Sequence, residues 1–256
     1  SHDFLRDRGE TLGEEDERTL VNLLVEQIEF ADVVVLNKIT SADEQKLDAA
    51  RKIIRSLNAD AEIFEVNHSE VPIDAILNTG LFDFEKAHEH PMWAKELYGF
   101  ADHVPETEEY GVSSYVYRAR RPFEPEKIMN VLNGDLSGVI RAKGHFWIAT
   151  RPDWVAEYSL AGALSSVKPL GTWWASVPEA RWPKDDIGKQ YMKQNWEEPW
   201  GDRRQEIVFI GSDINWGDIK SKLDDALVSE AISSLSDPLP TFNDPFPIWR
   251  RAEEAA

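Results

Sequence analysis

The sequence predicts two successive domains of different winding: an α/β domain built on a parallel sheet, then an α+β domain whose open sheet carries helices on one face. Three observations predict it. Helix and strand patterns alternate early in the chain, a polar stretch with Pro91 and Pro105 interrupts them, and strand-dominated patterns follow. With 256 residues and 42% hydrophobic content, the chain has enough length and apolar material for two ordinary cores. The expected division is residues 1–84, a linker over 85–109, and 110–256.

Leu20, Leu23, Leu24 and Ile28 form an apolar stripe at helical spacing, which predicts a helix from Glu17 to Ala31. The run Ala31-Asp32-Val33-Val34-Val35-Leu36 is β-branched and nearly continuous, as in a strand covered on both faces. A second helix from Asp43 to Leu57 turns Leu47, Ala50, Ile54 and Leu57 inward, and Ala61 to Val66 reads as the next strand. In such winding, ligands sit beyond the carboxyl ends of the strands.

Beyond the linker, Val112 to Arg118 reads as a strand. Pro122-Phe123-Glu124-Pro125-Glu126 opens a helix, with Pro125 early, where a missing N–H costs nothing. Gly138–Ala149, Trp154–Leu160 and Ser165–Trp174 read as strands. Glu206 to Gly211 is a buried strand, and Trp216 to Leu227 a helix with Ile219, Leu223 and Leu227 on one stripe.

Composition excludes several functions. No apolar run approaches the roughly 20 residues that cross a bilayer, and the start at Ser1 shows neither a secretory nor a transit signal. There is no cysteine, so disulfides and thiolate metal sites are excluded. A formal net charge of −19 disfavours nucleic acid as a partner and attracts small cations, although acidity also serves solubility alone.

Chemistry concentrates at a few places. Asn37-Lys38-Ile39-Thr40 follows a strand directly, which is the form of the guanine-recognition element of GTPases as well as of many ordinary turns. In that element the Asn fixes the loop and contacts the base, and the Lys stem packs on the base plane. Thr40 stands where an Asp usually accepts two bonds from guanine; a hydroxyl accepts only one such bond, which puts guanine specificity in question. No Gly-rich loop ending Gly-Lys-Ser/Thr occurs; the pair Gly188-Lys189 is followed by Gln190. Without that amide cradle and ammonium, the chain alone is expected not to hydrolyse a nucleotide.

His88, Glu89, His90 and His103 offer zinc-type ligands in the acidic linker, but on a loop without preformed geometry they also read as solvated residues. His68, just past the second strand, reads as a loop histidine near an expected second base-contacting loop. Trp147, Trp154, Trp173, Trp174, Trp182, Trp196, Trp200 and Trp216 fit core packing better than a binding surface. Gly201-Asp202-Arg203-Arg204-Gln205-Glu206 suits either ion pairs at a domain contact or a solvated turn.

Taken in order, several segments resemble the CobW-type metal-handling GTPases. They are Glu26-Gln27-Ile28-Glu29-Phe30-Ala31-Asp32 leading to Asn37-Lys38, Glu108 to Ser114, Arg120-Arg121-Pro122-Phe123-Glu124-Pro125, Arg141-Ala142-Lys143-Gly144 with Trp147, Gly201 to Gly211, and Asp244-Pro245-Phe246-Pro247. The resemblance runs nearly end to end, and the long second domain is most similar to the zinc-homeostasis subgroup. It implies a partial P-loop-type sheet domain, lacking the phosphate loop and the family's Cys-x-Cys-Cys motif, followed by a CobW C-terminal domain.

On that resemblance the chain is expected to be a fragment of a cytoplasmic, GTP-dependent zinc metallochaperone or metal-insertion protein. GTP and Mg would belong to the intact member, zinc would be the handled metal, and a metal-requiring client protein the partner. Neither nucleotide nor zinc is expected to bind this chain tightly by itself. Asn37, Lys38 and Thr40 match the base-recognition positions. Glu124 replaces a His that members often carry, so no metal ligand is transferred. The alternative is a non-catalytic protein-recognition module with a relic nucleotide loop.

Overall fold

The structure is a computed structural model that describes residues 20–83, 112–232, 234–235 and 240–250. The expected linker and its histidines, His88, His90 and His103, with Glu89, lie outside the described residues.

The first layer follows the predicted order: α1 (Leu20–Glu29), β1 (Val33–Asn37), α2 (Glu44–Leu57) and β2 (Glu62–Val66). Asp43 caps α2 by accepting a bond from Lys46 N at 2.8 Å, so the helix starts one residue later than its pattern. β1 and β2 pair in parallel, with Asn37 opposite Val66, so the loops that leave them emerge side by side. The expectation that β1 is covered on both faces is corrected: on this two-stranded sheet Val35 is exposed and its neighbours are half-buried. Asn58, buried at the end of α2, donates to Ile28 O and Ala31 O and accepts from Asp60 N and Ala61 N. One side chain thereby joins the ends of α1 and α2 and starts the turn into β2.

The second layer comprises β3 (Val112–Ala119), α3 (Pro125–Leu132), β4 (Val139–Phe146), β5 (Trp154–Ala161), β6 (Leu164–Thr172), α4 (Asp186–Asn195), β7 (Gln205–Ser212) and α5 (Trp216–Ala226). Its five strands are ordered β3-β7-β4-β5-β6, and each neighbouring pair is antiparallel. β3 and β4, both antiparallel to β7, form a split β-α-β unit through α3, with β7 filling the gap. β7 is an interior strand, paired on both sides, which explains its unbroken apolar run. Ile207 and Phe209 enter one core with Ile128 and Leu132 of α3 and Ile219 and Leu223 of α5; Val208 and Ile210 enter another with Val112.

The domain's own helices α3 and α5 thus occupy one face, as expected. The other face meets the first layer, where α2 lies against β7, β3 and β4 and α1 against β5. α4 was not legible. None of its residues is fully buried, and its half-buried face, Gly188, Tyr191, Met192 and Asn195, holds only two apolar side chains, too few to read as a stripe; Gly188-Lys189 is simply part of its first turns, capped by Asp185. After β7, the segment Asp244-Pro245-Phe246-Pro247 is tied back by Arg151, which donates twice to the Asp244 carboxylate at 2.9 Å and to Phe246 O and Pro247 O. No helix among the described residues is long and apolar enough to cross a membrane.

Candidate functional site

The corner at the carboxyl ends of β1 and β2 is where an open α/β sheet presents a ligand site. Asn37, the last residue of β1, uses its whole side chain to hold it. Its Oδ1 accepts from Lys38 N at 2.8 Å and Ser69 N at 3.1 Å, and its Nδ2 donates to Ser69 Oγ at 2.8 Å. Thr40 is tied to the neighbouring loop as well: its N–H and its hydroxyl both donate to Asn67 Oδ1, at 3.1 and 2.8 Å. Two loops distant in sequence are therefore stitched at two points.

The backbone here is unusual. Lys38, His68 and Ser69 all adopt left-handed φ values, 65°, 52° and 59°, although none is glycine. Such conformations are uphill by roughly 1–3 kcal/mol each and persist where surrounding bonds over-determine them. Lys38 and Thr40 are exposed, so the free edge of the corner offers an ammonium on a flexible stem and the unused lone pairs of a hydroxyl.

Asn37, Lys38 and Thr40 are thus brought together. Asn67 and Ser69 were missed by sequence reasoning, which singled out His68 between them. The available signal was the parallel register: if β1 and β2 are neighbours, the residues following Val66 must face those following Leu36.

A second polar cluster lies on the five-stranded sheet. Glu206 accepts from Arg118 at 2.9 Å and Arg204 at 2.8 Å, and its Oε2 lies 3.5 Å from His145 Nε2. Burial would raise the Glu206 carboxyl, but the bonds and charge of Arg204, then Arg118, outweigh it and hold it below the usual range. A cavity of about 350 Å³ adjoins it, lined by Arg118, Arg120, Arg204 and Gln205. The segment from Gly201 to Glu206 is therefore not a solvated turn, and among the described residues its side chains bond within the second layer. Asp202 and Arg203 are buried; Asp202 accepts from Trp174 N and Ala175 N, and Arg203 donates to Pro152 O and Ser176 Oγ, all within the second layer.

His145 carries a pH consequence. Its Nε2 is buried without a hydrogen bond, and burial first, the Arg204 charge second, push its pKa down to about 4 against the pull of Glu206. Below about pH 6.5 the unfolded imidazole takes up a proton that the folded one refuses until about pH 4. Stability present above pH 6.5 is therefore lost as the pH falls through that window, by up to about 3 kcal/mol. Urea unfolding at several pH values should show His145→Gln losing much less over this range than the parent; parallel losses would contradict the assignment.

The tryptophans are mainly core. Trp147, Trp173 and Trp200 are buried, and the indole N–H groups of Trp147, Trp173, Trp182 and Trp216 donate to Arg120 O, Trp154 O, Trp174 O with Val177 O, and Ser113 Oγ. Glu124 is used structurally, 3.0 Å from Lys127. Among the described residues, no group of three or more His, Asp or Glu is disposed to hold a metal ion.

Comparison with known proteins adds the lineage. Residues 5–65 match the family described as CobW/HypB/UreG, nucleotide-binding domain, and residues 112–227 match the cobalamin synthesis protein cobW C-terminal domain. The chain is 41% identical, over 99% of its length, to a zinc-regulated GTPase metalloprotein activator of Dictyostelium discoideum, of which it covers 54%. It is 26% identical over 96% of its length to zinc chaperone Rv0106 of Mycobacterium tuberculosis, of which it covers 60%. The chain thus spans little more than half of each relative. Zn(II)-bound YjiA GTPase from E. coli aligns at a TM-score of 0.37 and 19% identity, covering 80% of this chain and 55% of that one, a likeness too loose to argue from. Two domain matches in one order, over segments that the fold assigns to a parallel and an antiparallel sheet, show that the chain belongs to the CobW family.

Proposed function

We propose that this chain supplies the base-reading corner and the C-terminal domain of a GTP-dependent zinc metallochaperone or metal-insertion protein. The observation that carries the reading is the stitched corner. Asn37 and Asn67 hold two loops together at the carboxyl ends of parallel strands, with three non-glycine residues in left-handed backbone. Relatives named for zinc and for GTPase activity support it.

In this reading residues 1–84 form the nucleotide-binding part, 85–109 a linker, and 110–256 the C-terminal domain. Asn37 keeps the loop in shape, the Lys38 stem packs on the base plane, and the Thr40 hydroxyl accepts one bond from the base edge while donating to Asn67. The donor set fits a base but not a triphosphate with Mg, because the sequence holds no glycine-rich loop with its Lys and Ser/Thr. Hydrolysis is therefore assigned no residue of this chain. Zinc is cargo, and the C-terminal domain serves client docking or closes over the metal.

The test is calorimetry of the natural full-length protein with zinc, with and without a non-hydrolysable GTP analogue. A changed zinc affinity is expected, since coupling between two ligands appears as a change in the affinity of each. Asn67→Ala, which removes the acceptor of both Thr40 bonds, should weaken analogue binding by about 1–2 kcal/mol. Identical zinc affinity in both conditions, with Asn67→Ala unchanged, would leave only a protein-recognition module.

A further inference from the structure

At the outer edge of the five-stranded sheet lies a concavity of about 650 Å³, remote from the base corner in the element order. Its lining combines an apolar floor, Trp154, Leu170 and Val177, with two guanidinium groups, Arg181 and Arg250. Both arginines are exposed, and neither has an ion pair or side-chain hydrogen bond among the described residues. In a chain where 47 acidic residues face 28 basic ones, this is unusual: Arg118, Arg141, Arg151 and Arg204 all hold carboxylates.

The adjoining edge strand is shaped against the commonest alternative occupant. Among the described residues no strand pairs with the outer side of β6, yet Pro169 offers no N–H, and the register with β5 slips between Val155 and Ala156, leaving Leu170 between the paired Pro169 and Gly171. A bulge and a proline blunt strand addition. The same bulge leaves the Leu170 side chain 62% exposed at the concavity. Recognition at this edge must therefore come from side chains.

We infer that this concavity docks an acidic segment of a partner protein, seating an apolar side chain among Trp154, Leu170 and Val177 and flanking carboxylates on Arg181 and Arg250. The fork of donors on each guanidinium matches a carboxylate, and the apolar floor lowers the local dielectric in which they meet. The net charge of −19 repels acidic chains elsewhere on the surface, so this local pair of cations sets the place of approach. The inference deepens the client-docking reading and rests on it only in taking the partner to be the client.

The test titrates the 256-residue chain with the capped peptide Ac-Glu-Glu-Leu-Glu-Glu-NH2 while the Trp154 indole and the Arg181 and Arg250 Nε–H signals are followed by NMR. Saturable shifts at all three are expected, with affinity falling as salt rises. The glutamine counterpart of the peptide should bind about tenfold more weakly, as should the parent peptide to Arg181→Gln/Arg250→Gln. Both positions are exposed, so an otherwise unchanged spectrum shows that this variant is folded. Absence of shifts at millimolar peptide, equal affinity for the glutamine peptide, or saturation by inorganic phosphate in place of peptide would each overturn the inference. The titration needs neither nucleotide nor zinc, so its failure and that of the calorimetric coupling are separately visible.

Discussion

Glu29→Ala is expected to destabilise the protein by about 3–5 kcal/mol, because it strands the Arg141 guanidinium inside the junction of the two layers. Glu29 closes α1 and Arg141 sits on β4; their side chains are 3% and 5% exposed, and Arg141 Nε donates to Glu29 Oε1 at 2.7 Å. Arg141 also donates to Ser159 Oγ and Leu160 O, so its orientation is fixed and it cannot swing to solvent without losing those bonds. Burial, the largest influence on Glu29, raises its pKa despite the neighbouring guanidinium, which means that desolvation exceeds attraction.

Two consequences separate this pair from an ordinary surface bridge. Removing one partner should be costly, whereas Glu29→Leu with Arg141→Met should recover most of the loss, since neither member of the pair is then left as a buried charge without the other. Urea unfolding of the two variants beside the parent measures both. A single-variant loss under about 1 kcal/mol would place the pair among exposed bridges of little consequence.

This pair also shows what was legible in the sequence. Glu29 and Arg141 both lie in segments that carry the family resemblance, yet nothing in either segment announces that they meet across 112 positions. Helical stripes and the β-branched run located α1, α2, β1 and β2 because burial imposes a period on the sequence. α4 only half-buries one face, Gly188, Tyr191, Met192 and Asn195, and two apolar side chains on it are too few to show a period. At the base corner, Asn37, Lys38 and Thr40 were readable because a motif names them. Asn67 was not, because its role comes from the register of β1 on β2 and not from its neighbours in the chain. In the second layer, the run from Gly201 to Glu206 was visible as polar but misread as surface or junction, since a row of charges looks the same whether its partners are water or buried backbone.

Gly144→Ala is the second large expected effect, roughly 2–4 kcal/mol, and its cause is backbone rather than side chain. Gly144 lies within β4 at φ +155°, and a Cβ there would stand 2.2 Å from Glu206 O and 2.6 Å from Ile207 Cα on the paired strand β7. Both obstacles are main-chain atoms of an interior strand, so neither can rotate aside, and separating β4 from β7 would disturb Ile207 in the main core. The same movement would shift Glu206 relative to His145, its register partner on β4. The variant should therefore lose stability and also change the pH dependence that His145 imposes between about pH 6.5 and 4. Gly171→Ala, on the edge strand β6 where a Cβ would meet nothing within 4 Å, supplies the control, and it should cost less than about 1 kcal/mol. Comparable losses for the two variants would mean that β4 yields at this point, and that the glycine is not required by the approach of β7.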